Sequence, residues 1–166
     1  MEDDSLKKQP KMEDIILNGH NKEEFPPAHT AEHLLNQTMD RMFGCGRSCN
    51  AHIERKKSKM TFILDHKPTR KEEQEIERRM NELIADDLPV RFEYVDRDHL
   101  PADVSTDRLP ADASDTLRLV RIGDYDVCPC IGKHVRSTSQ IGHFEMLGTN
   151  WDEMKHAFRV RFKVIP

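Results

Sequence analysis

Apolar positions recur at spacings of three and four over residues 27–43, which predicts a helix with one buried stripe. Pro27 suits the first helical position, because its missing N–H would have no partner there anyway. Gly44 suits a left-handed stop. We therefore predict that this helix begins at Pro27 and ends before Gly44. Its buried stripe is predicted to contain Leu34, Leu35, Thr38, Met39, Met42 and Phe43.

A second helical pattern follows Thr69, which stands three positions before Glu72 as in a capping box. The helix that opens there is predicted to run to residue 86. Its outer face is dense in charge, which suits a solvated surface. Its inner face is predicted to contain Ile76, Met80, Leu83 and Ile84.

The remaining periodic segments predict strands, because they alternate or are short apolar runs bounded by turn residues. They cover residues 50–54, 60–65, 88–95, 116–122, 141–147 and 156–165, with a short strand or turn at residues 14–17. Residues 148–152 are predicted to form the turn of a closing hairpin. Residues 98–115 lack periodicity and predict a long loop with one short helical turn, of the kind that often serves as a lid or binding loop.

This mixture of helices and strands has no regular βαβ rhythm, which predicts an α+β fold. We expect a mostly antiparallel sheet packed with two main helices. A chain of 166 residues fits one domain. We assign residues 27–166 to it and residues 1–26 to a partly disordered N-terminal extension, because the first eleven residues are charged and aperiodic.

No apolar run approaches the ~20 residues that a membrane span needs. The N-terminus has neither the basic region nor the apolar region of a signal peptide. We therefore expect a cytoplasmic protein without membrane association. In that compartment the four cysteines (Cys45, Cys49, Cys128 and Cys130) are expected to be free thiols or metal ligands rather than disulfides.

The net charge of −4 argues against bulk, sequence-independent binding of nucleic acid. It leaves room for a local basic patch that contacts one nucleic-acid end. The basic run at residues 55–59, with the sequence RKKSK, is the candidate. Its alternative interpretation is a solvated turn between two strands.

Two residue pairs have the spacing of metal ligands. His29 and His33 lie one turn apart on one face of the first helix, so both can reach one ion. Cys130 and His134 are four positions apart and add a thiol, a soft ligand that favours zinc. The leading hypothesis is a Zn²⁺ site made by these two pairs together.

Two other arrangements of the cysteines stay open. Cys45 and Cys49, with His52, would make a cluster of their own. Cys128 would replace Cys130 as the thiol ligand, because residues two apart on an extended segment point the same way. Spacing alone does not decide between Cys128 and Cys130.

The residues around the two pairs resemble a known family. The stretch CIGKHVRSTSQIG at residues 130–142 resembles the C-x-G-x-H-V-x-x-T-x-x-I-G stretch of the editing domains of alanyl-tRNA synthetases. HTAEH at residues 29–33 resembles their H-[ST]-A-x-H motif. The chain looks like a free-standing member of the short AlaX type over residues 27–165, and more distantly like the threonyl-tRNA synthetase editing domain. Many relatives have Gly-Gly-Thr where this chain has Ile131, Gly132 and Lys133.

The resemblance implies a trans-editing hydrolase that cleaves the aminoacyl ester of misacylated tRNA-Ala carrying serine or glycine. Zinc held by His29, His33, Cys130 and His134 would polarise or position the reacting groups. Four protein ligands would close the tetrahedron, as in a structural site. His29 or His134 is therefore also a candidate catalytic base.

The resemblance also suggests substrate-binding residues. Thr30 is the first candidate to recognise a serine hydroxyl, since hydrogen bonding to a hydroxyl discriminates strongly against a substrate that lacks it. His52 and Glu54 are further candidates on a strand expected to face the pocket, with strand-surface residues as the alternative. Gly132 and Thr138 match motif positions and suit backbone geometry.

The partner that the resemblance implies is the acceptor end of a misacylated tRNA. Lys133, Arg136 and the basic run at residues 55–59 would contact its phosphates, which makes binding sensitive to salt. One rival function is deacylation of another misacylated tRNA, such as seryl-tRNA-Thr. The other is a non-catalytic, zinc-containing module for tRNA binding or protein interaction. The oligomeric state is open between monomer and homodimer.

Overall fold

The computed structural model describes residues 24–104 and 115–166. Within them lie two α-helices, seven strands and two short 3-10 helices. In chain order the helices and strands are α1 Pro26–Phe43, β1 Asn50–His52, β2 Ser58–Ile63, α2 Arg70–Ala85, β3 Val90–Asp96, β4 Thr116–Ile122, β5 Asp126–Pro129, β6 His143–Asp152 and β7 Ala157–Ile165. The 3-10 helices are Arg97–His99 and Thr138–Ile141.

The strands form two antiparallel sheets rather than one. A four-stranded sheet has the order β1-β2-β7-β6, and a three-stranded sheet has the order β3-β4-β5. Every pair of neighbouring strands in both sheets is antiparallel. The α+β class with two main helices is confirmed.

Helix α1 begins at Pro26, one residue before the prediction, and ends where the glycine signal placed it. Gly44 adopts a left-handed conformation with φ 64°, and its N–H donates to the carbonyl of Asp40. The predicted stripe is buried at Leu34, Leu35, Thr38 and Met39, and half-buried at Met42 and Phe43. Residues 28–31 and His33 are buried as well, and they include the histidine pair.

Helix α2 opens with the predicted capping box. The Thr69 hydroxyl accepts from the N–H of Glu72, and the Glu72 carboxylate accepts from the N–H of Thr69. The inner face buries Ile76, Met80 and Ile84. This face packs into the same core as the stripe of α1.

The largest buried side chains belong to the four-stranded sheet and anchor the core. Phe62, Phe144, Phe158 and Phe162 are each less than 2% exposed, and the rings of Phe144 and Phe162 stack at 5.1 Å. Burying one such side chain contributes about 1.5–3 kcal/mol. The helix that carries the histidine pair is therefore fixed on a well-packed base.

The predicted turn at residues 148–152 is wrong, because β6 continues through it to Asp152. Gly148 pairs with Arg161, and the register shifts at a bulge between Met146 and Gly148. The chain turns instead over residues 153–156. Pairing with the long strand β7 outweighs the local turn preference of the Gly-Thr-Asn sequence, and the bulge accommodates the glycine.

Three predictions lie wholly or partly outside the described residues. They are the strand or turn at residues 14–17 and most of the extension at 1–26, together with residues 105–114 of the long loop. The short helical turn expected in that loop corresponds to Arg97–His99. Among the described helices, none is long and apolar enough to cross a membrane.

Candidate metal centre

Two distant parts of the chain meet over the first turns of α1. His29 and His33 project from that helix, and Cys130 and His134 come from the segment that follows β5. One potential ligand atom from each of the four lies within 4.8 Å of the other three. The two predicted pairs therefore form one group that can hold a metal ion.

Hydrogen bonds fix how two of the three imidazoles point. Nδ1 of His29 lies 3.0 Å from the carbonyl oxygen of Lys133, and Nδ1 of His134 lies 2.9 Å from the hydroxyl of Thr30. A carbonyl only accepts, so Nδ1 of His29 carries the proton and its Nε2 keeps a lone pair. The same tautomer of His134 donates to Thr30 and leaves its Nε2 free.

The distances between donor atoms fit zinc. Nε2 of His29 lies 3.4 Å from the Cys130 sulfur, and Nε2 of His134 lies 3.7 Å from it. A tetrahedral ion with Zn–N of about 2.0–2.1 Å and Zn–S of about 2.3 Å sets nitrogen and sulfur about 3.5 Å apart. Three imidazoles and one thiol are also a donor set that zinc accepts.

Burial controls the protonation of these ligands. It holds the pKa of His33 well below its usual value, assisted by His134 and His29, and it lowers the pKa of His134 to about 2. Burial also raises the pKa of the Cys130 thiol to about 11. His33 and His134 are therefore neutral and ready to coordinate, whereas metal binding must displace a proton from the thiol.

The structure also shows where the three cysteines that do not belong to the group lie. Cys128 is half-buried beside it, and burial raises the pKa of its thiol to about 12. Cys49 and His52 are exposed, and Cys45 is half-buried. Over residues 24–104 and 115–166 the group that contains Cys130 is the single cluster with metal-ligand geometry.

Three predicted substrate residues lie at the metal group. Thr30 is buried, and its hydroxyl also accepts from the N–H of Val135 at 3.2 Å. A Cβ added at Gly132 would lie 2.3 Å from Cε1 of His29, so the glycine makes room for that ring. Lys133 supplies the carbonyl that orients His29, and its N–H donates to Glu24.

The other predicted substrate residues are not brought into the group. His52 is an exposed residue at the end of β1, and Glu54 is exposed in the turn that follows. Thr138 is fully buried against the end of α2, where its hydroxyl donates to the carbonyl of Leu83 at 2.7 Å. The same hydroxyl accepts from the N–H of Leu88 at 2.8 Å.

Three further residues shape the centre and were not predicted from the sequence. The guanidinium of Arg118 donates to the carbonyl oxygens of Cys130 and Gly132 and so fixes the loop between the ligands. Arg47 forms a salt bridge with the buried Asp126, whose carboxylate lies beside His33. The sequence signal for Asp126 is its spacing: Asp126, Cys128 and Cys130 are each two positions apart, which places side chains of an extended segment on one face.

Exposed aromatic rings border the centre on β3. Phe92 is 47% exposed and its ring centroid lies 6.4 Å from that of His134. Tyr94, two residues further along the same face, is 71% exposed. The guanidinium of Arg118 lies over the Phe92 ring at 4.3 Å. An aromatic surface with a cation beside it thus adjoins the metal group.

The basic run at residues 55–59 includes the turn between β1 and β2, as its alternative interpretation predicts. The guanidinium of Arg55 lies 4.3 Å over the ring of Phe25, the residue before α1. Residues 55–57 are exposed. The run is therefore attached to the end of α1 that carries His29.

The fold and the metal centre define a class of domain that comparison with known proteins makes specific. A family model described as the threonyl and alanyl tRNA synthetase second additional domain matches residues 117–157. An alanine–tRNA ligase of Halorubrum lacusprofundi is 31% identical over 136 residues, 80% of this chain and 15% of the ligase. One from Oceanobacillus iheyensis is 32% identical over 120 residues, 72% of this chain and 14% of the ligase.

The alanyl-tRNA editing protein AlaX-L of Pyrococcus horikoshii is 29% identical over 136 residues, 81% of this chain and 32% of that protein. The chain thus spans about a third or less of the length of these curated relatives. It belongs to the family of editing domains shared by alanyl-tRNA synthetases and AlaX-type proteins. The resemblance carried by the two motifs is confirmed.

Proposed function

We propose that this domain is a trans-editing hydrolase that cleaves the aminoacyl ester of tRNA-Ala misacylated with serine or glycine. The observation that carries the proposal is the convergence of His29, His33, Cys130 and His134 into one group with metal-ligand distances. The likeness to AlaX-L and to alanine–tRNA ligases supports the choice of tRNA.

We propose Zn²⁺ as the cofactor, held by the same four side chains. When bound, zinc can polarise an ester carbonyl or lower the pKa of a water molecule. Three residues position the ligands. Thr30 holds His134, and the carbonyl of Lys133 holds His29. Arg118 holds the loop at residues 130–132. The group is thus pre-organised by hydrogen bonds outside it.

The proposed base role of His29 or His134 competes with ligation by the same ring. In each imidazole Nδ1 is engaged in a hydrogen bond, so Nε2 is the one nitrogen left. A given ring therefore either coordinates through Nε2 or accepts a proton there. The base role would belong to whichever of the two rings does not ligate the metal.

Thr30 is the proposed serine-recognition residue, and its hydrogen bonding leaves it one donor. A hydroxyl has one donor and two acceptor sites. Its oxygen accepts from Val135 and, in the tautomer that frees Nε2, from His134. These contacts leave its O–H as the group for a serine hydroxyl, and because Thr30 is fully buried that hydroxyl would have to enter the centre to reach it.

The acceptor end of the tRNA is the proposed partner, and the surface around the centre suits it. Phe92 and Tyr94 offer rings on which unpaired bases can stack. The basic run at residues 55–59 and Lys133 supply cations for phosphates. Because these cations contact phosphates, binding should weaken as the salt concentration rises. Because they are confined to one patch and the net charge is −4, the protein should not bind long RNA regardless of its sequence.

The test is a deacylation assay with the zinc-loaded chain and four esters: seryl-tRNA-Ala, glycyl-tRNA-Ala, alanyl-tRNA-Ala and seryl-tRNA-Thr. We expect loss of the seryl or glycyl ester from tRNA-Ala and persistence of the alanyl ester. Hydrolysis confined to seryl-tRNA-Thr would favour the rival deacylase, which the threonyl part of the family description makes relevant. No loss above background from any ester would leave a non-catalytic module.

A further inference from the structure

His33 is the one imidazole of the metal group whose second nitrogen has no partner. It is 4% exposed, and its Nδ1 is one of two buried side-chain atoms without a hydrogen bond in the described part of the chain. The nearest carboxylate oxygen, Oδ2 of Asp126, lies 3.7 Å away. That distance is too long for a hydrogen bond, yet an unpaired buried donor costs about 1–3 kcal/mol.

Asp126 is held in place by hydrogen bonds from two other side chains. Arg47 donates to both of its oxygens, at 2.9 Å to Oδ1 and 3.3 Å to Oδ2, and Gln37 donates to Oδ1 at 3.0 Å. The Asp126 side chain is completely buried. Oδ1 is therefore saturated, whereas Oδ2 keeps a lone pair for a further donor.

The three strands of the small sheet explain why the carboxylate is there. Asp126 and Cys128 are two positions apart on β5, so their side chains lie on the same face of the sheet. Cys128 pairs with Val120 of β4. Val120 pairs in turn with Phe92, so these side chains share the sheet face that borders the centre. Asp126 thus approaches the metal group from the sheet, and His33 approaches it from α1.

We propose that Asp126 is a positioning residue that accepts a hydrogen bond from Nδ1–H of His33 and directs Nε2 of that ring to the metal. Metal-bound histidines regularly donate their other ring N–H to a carboxylate or a carbonyl. His29 and His134 already have such partners in Lys133 and Thr30. Asp126 completes the set, with a shift of about 1 Å from the present separation.

The rival interpretation is that Asp126 serves only as the partner of Arg47. A buried ion pair of that kind stabilises the fold, and breaking it costs about 3–5 kcal/mol. It would leave the metal unaffected in a protein that remains folded. The orphaned nitrogen of His33 favours the positioning role, because a structural pair does not require the carboxylate to face an imidazole.

The test is Asp126→Asn, with Asp124→Asn as the matched control. The amide has one oxygen where the carboxylate has two, so an oxygen turned towards the donors of Arg47 and Gln37 leaves the NH2 group facing His33. Asp124 is exposed and two residues away in the same segment. Zinc affinity is measured by competition with a chromogenic chelator, and the site geometry by the absorption spectrum of the Co²⁺-loaded protein.

We expect Asp126→Asn to weaken zinc binding by about 10–100-fold and to alter the Co²⁺ bands, with no change in Asp124→Asn. Because Asp126→Asn strands the charge of Arg47, the double variant Arg47→Met/Asp126→Leu, which removes that charge and leaves His33 no acceptor, is measured too. Its zinc affinity should stay low in a folded protein. Wild-type affinity and Co²⁺ bands in either variant would overturn the proposal.

The inference rests on the proposed metal ligands and not on the ester that is cleaved. Zinc affinity and Co²⁺ spectra do not use tRNA, so they can succeed when every deacylation assay fails. Conversely, deacylation with a normal zinc affinity in Asp126→Asn would leave the proposed function standing and remove the role of Asp126.

Discussion

The hydroxyl of Thr30 lies 2.9 Å from Nδ1 of His134, so a side chain between the first two ligands of the proposed metal group orients the last one. The contact joins α1 to the segment after β5, two parts of the chain that are 104 positions apart. The second letter of the HTAEH motif therefore has a geometric role in addition to any contact with substrate.

Thr30→Val should loosen His134 without altering the packing volume. The variant leaves Nδ1 of His134 and the N–H of Val135 without their partner, at about 1–3 kcal/mol. We expect weaker zinc binding by at least about tenfold, measured by chelator competition. Thr30→Ser keeps the hydroxyl and should bind zinc as the wild type does. Equal affinity in the valine and serine variants would contradict this role.

Gly132→Ala should damage the centre while leaving the fold intact. The added Cβ would lie 2.3 Å from Cε1 of His29, so the ring must leave the position in which its Nε2 lies beside the Cys130 sulfur. We expect a loss of zinc affinity on the order of tenfold or more, with near-wild-type circular dichroism. Gly148→Ala is the matched control, since its Cβ meets only the flexible end of Arg161. A wild-type zinc affinity in Gly132→Ala would show that His29 does not need its present position.

Cys130→Ala should lower the metal content, and Cys128→Ala should not. The Cys130 sulfur lies at ligand distance from two imidazoles, whereas Cys128 is outside the group. The two substitutions remove the same atom from thiols two positions apart, so each serves as the control for the other. Metal content after dialysis, measured by atomic emission, shows which thiol is the ligand. Loss of metal in Cys128→Ala alone would reverse the ligand assignment.

Thr138→Val should destabilise the domain without affecting the metal. It removes the hydroxyl that bonds Leu83 and Leu88 in a fully buried position, at about 1–3 kcal/mol. Thr61→Val on β2 is the control, because its half-buried hydroxyl should cost within about 0.5 kcal/mol. Urea unfolding and chelator competition provide the two measurements. Reduced deacylation at unchanged stability would instead support the substrate role predicted from the motif.

Tyr94→Ala should raise the KM for a misacylated tRNA while leaving kcat close to wild type. Loss of one base–aromatic stack costs about 1–3 kcal/mol, which corresponds to about fivefold or more. Met154→Ala is the control: Met154 is also an exposed apolar residue, but it lies in the turn between β6 and β7. Equal KM values for the two variants would remove the aromatic surface from the binding site.

Much of the fold could be predicted because its signals are local. The capping box at Thr69 and the glycine stop at Gly44 depend on residues within one turn, so they fixed the helix ends closely. The turn expected at residues 148–152 failed for the opposite reason. Its competitor, pairing with β7, comes from a strand whose length is not visible in the local sequence.

The residues of the site likewise divide into those that the local sequence predicts and those that it does not. The histidine pair and the Cys130–His134 pair could be recognised by spacing. That the two pairs form one site could be predicted from a family resemblance. The contribution of Arg47 could not be predicted, because its partner Asp126 is 79 positions away and either residue alone suits a solvated loop. The choice of Cys130 over Cys128 likewise depends on which thiol the loop fixed by Arg118 turns towards the imidazoles.

The metal group also ties together two ends of a long loop, since His29 and Cys130 are 101 positions apart. A cross-link that closes a loop of this length removes conformational entropy from the unfolded chain, by about 4–5 kcal/mol in the simplest model. A bound ion would therefore act as a reversible cross-link between α1 and the three-stranded sheet. Chelation would then open the domain along that seam first, while the phenylalanine core of the four-stranded sheet stays closed.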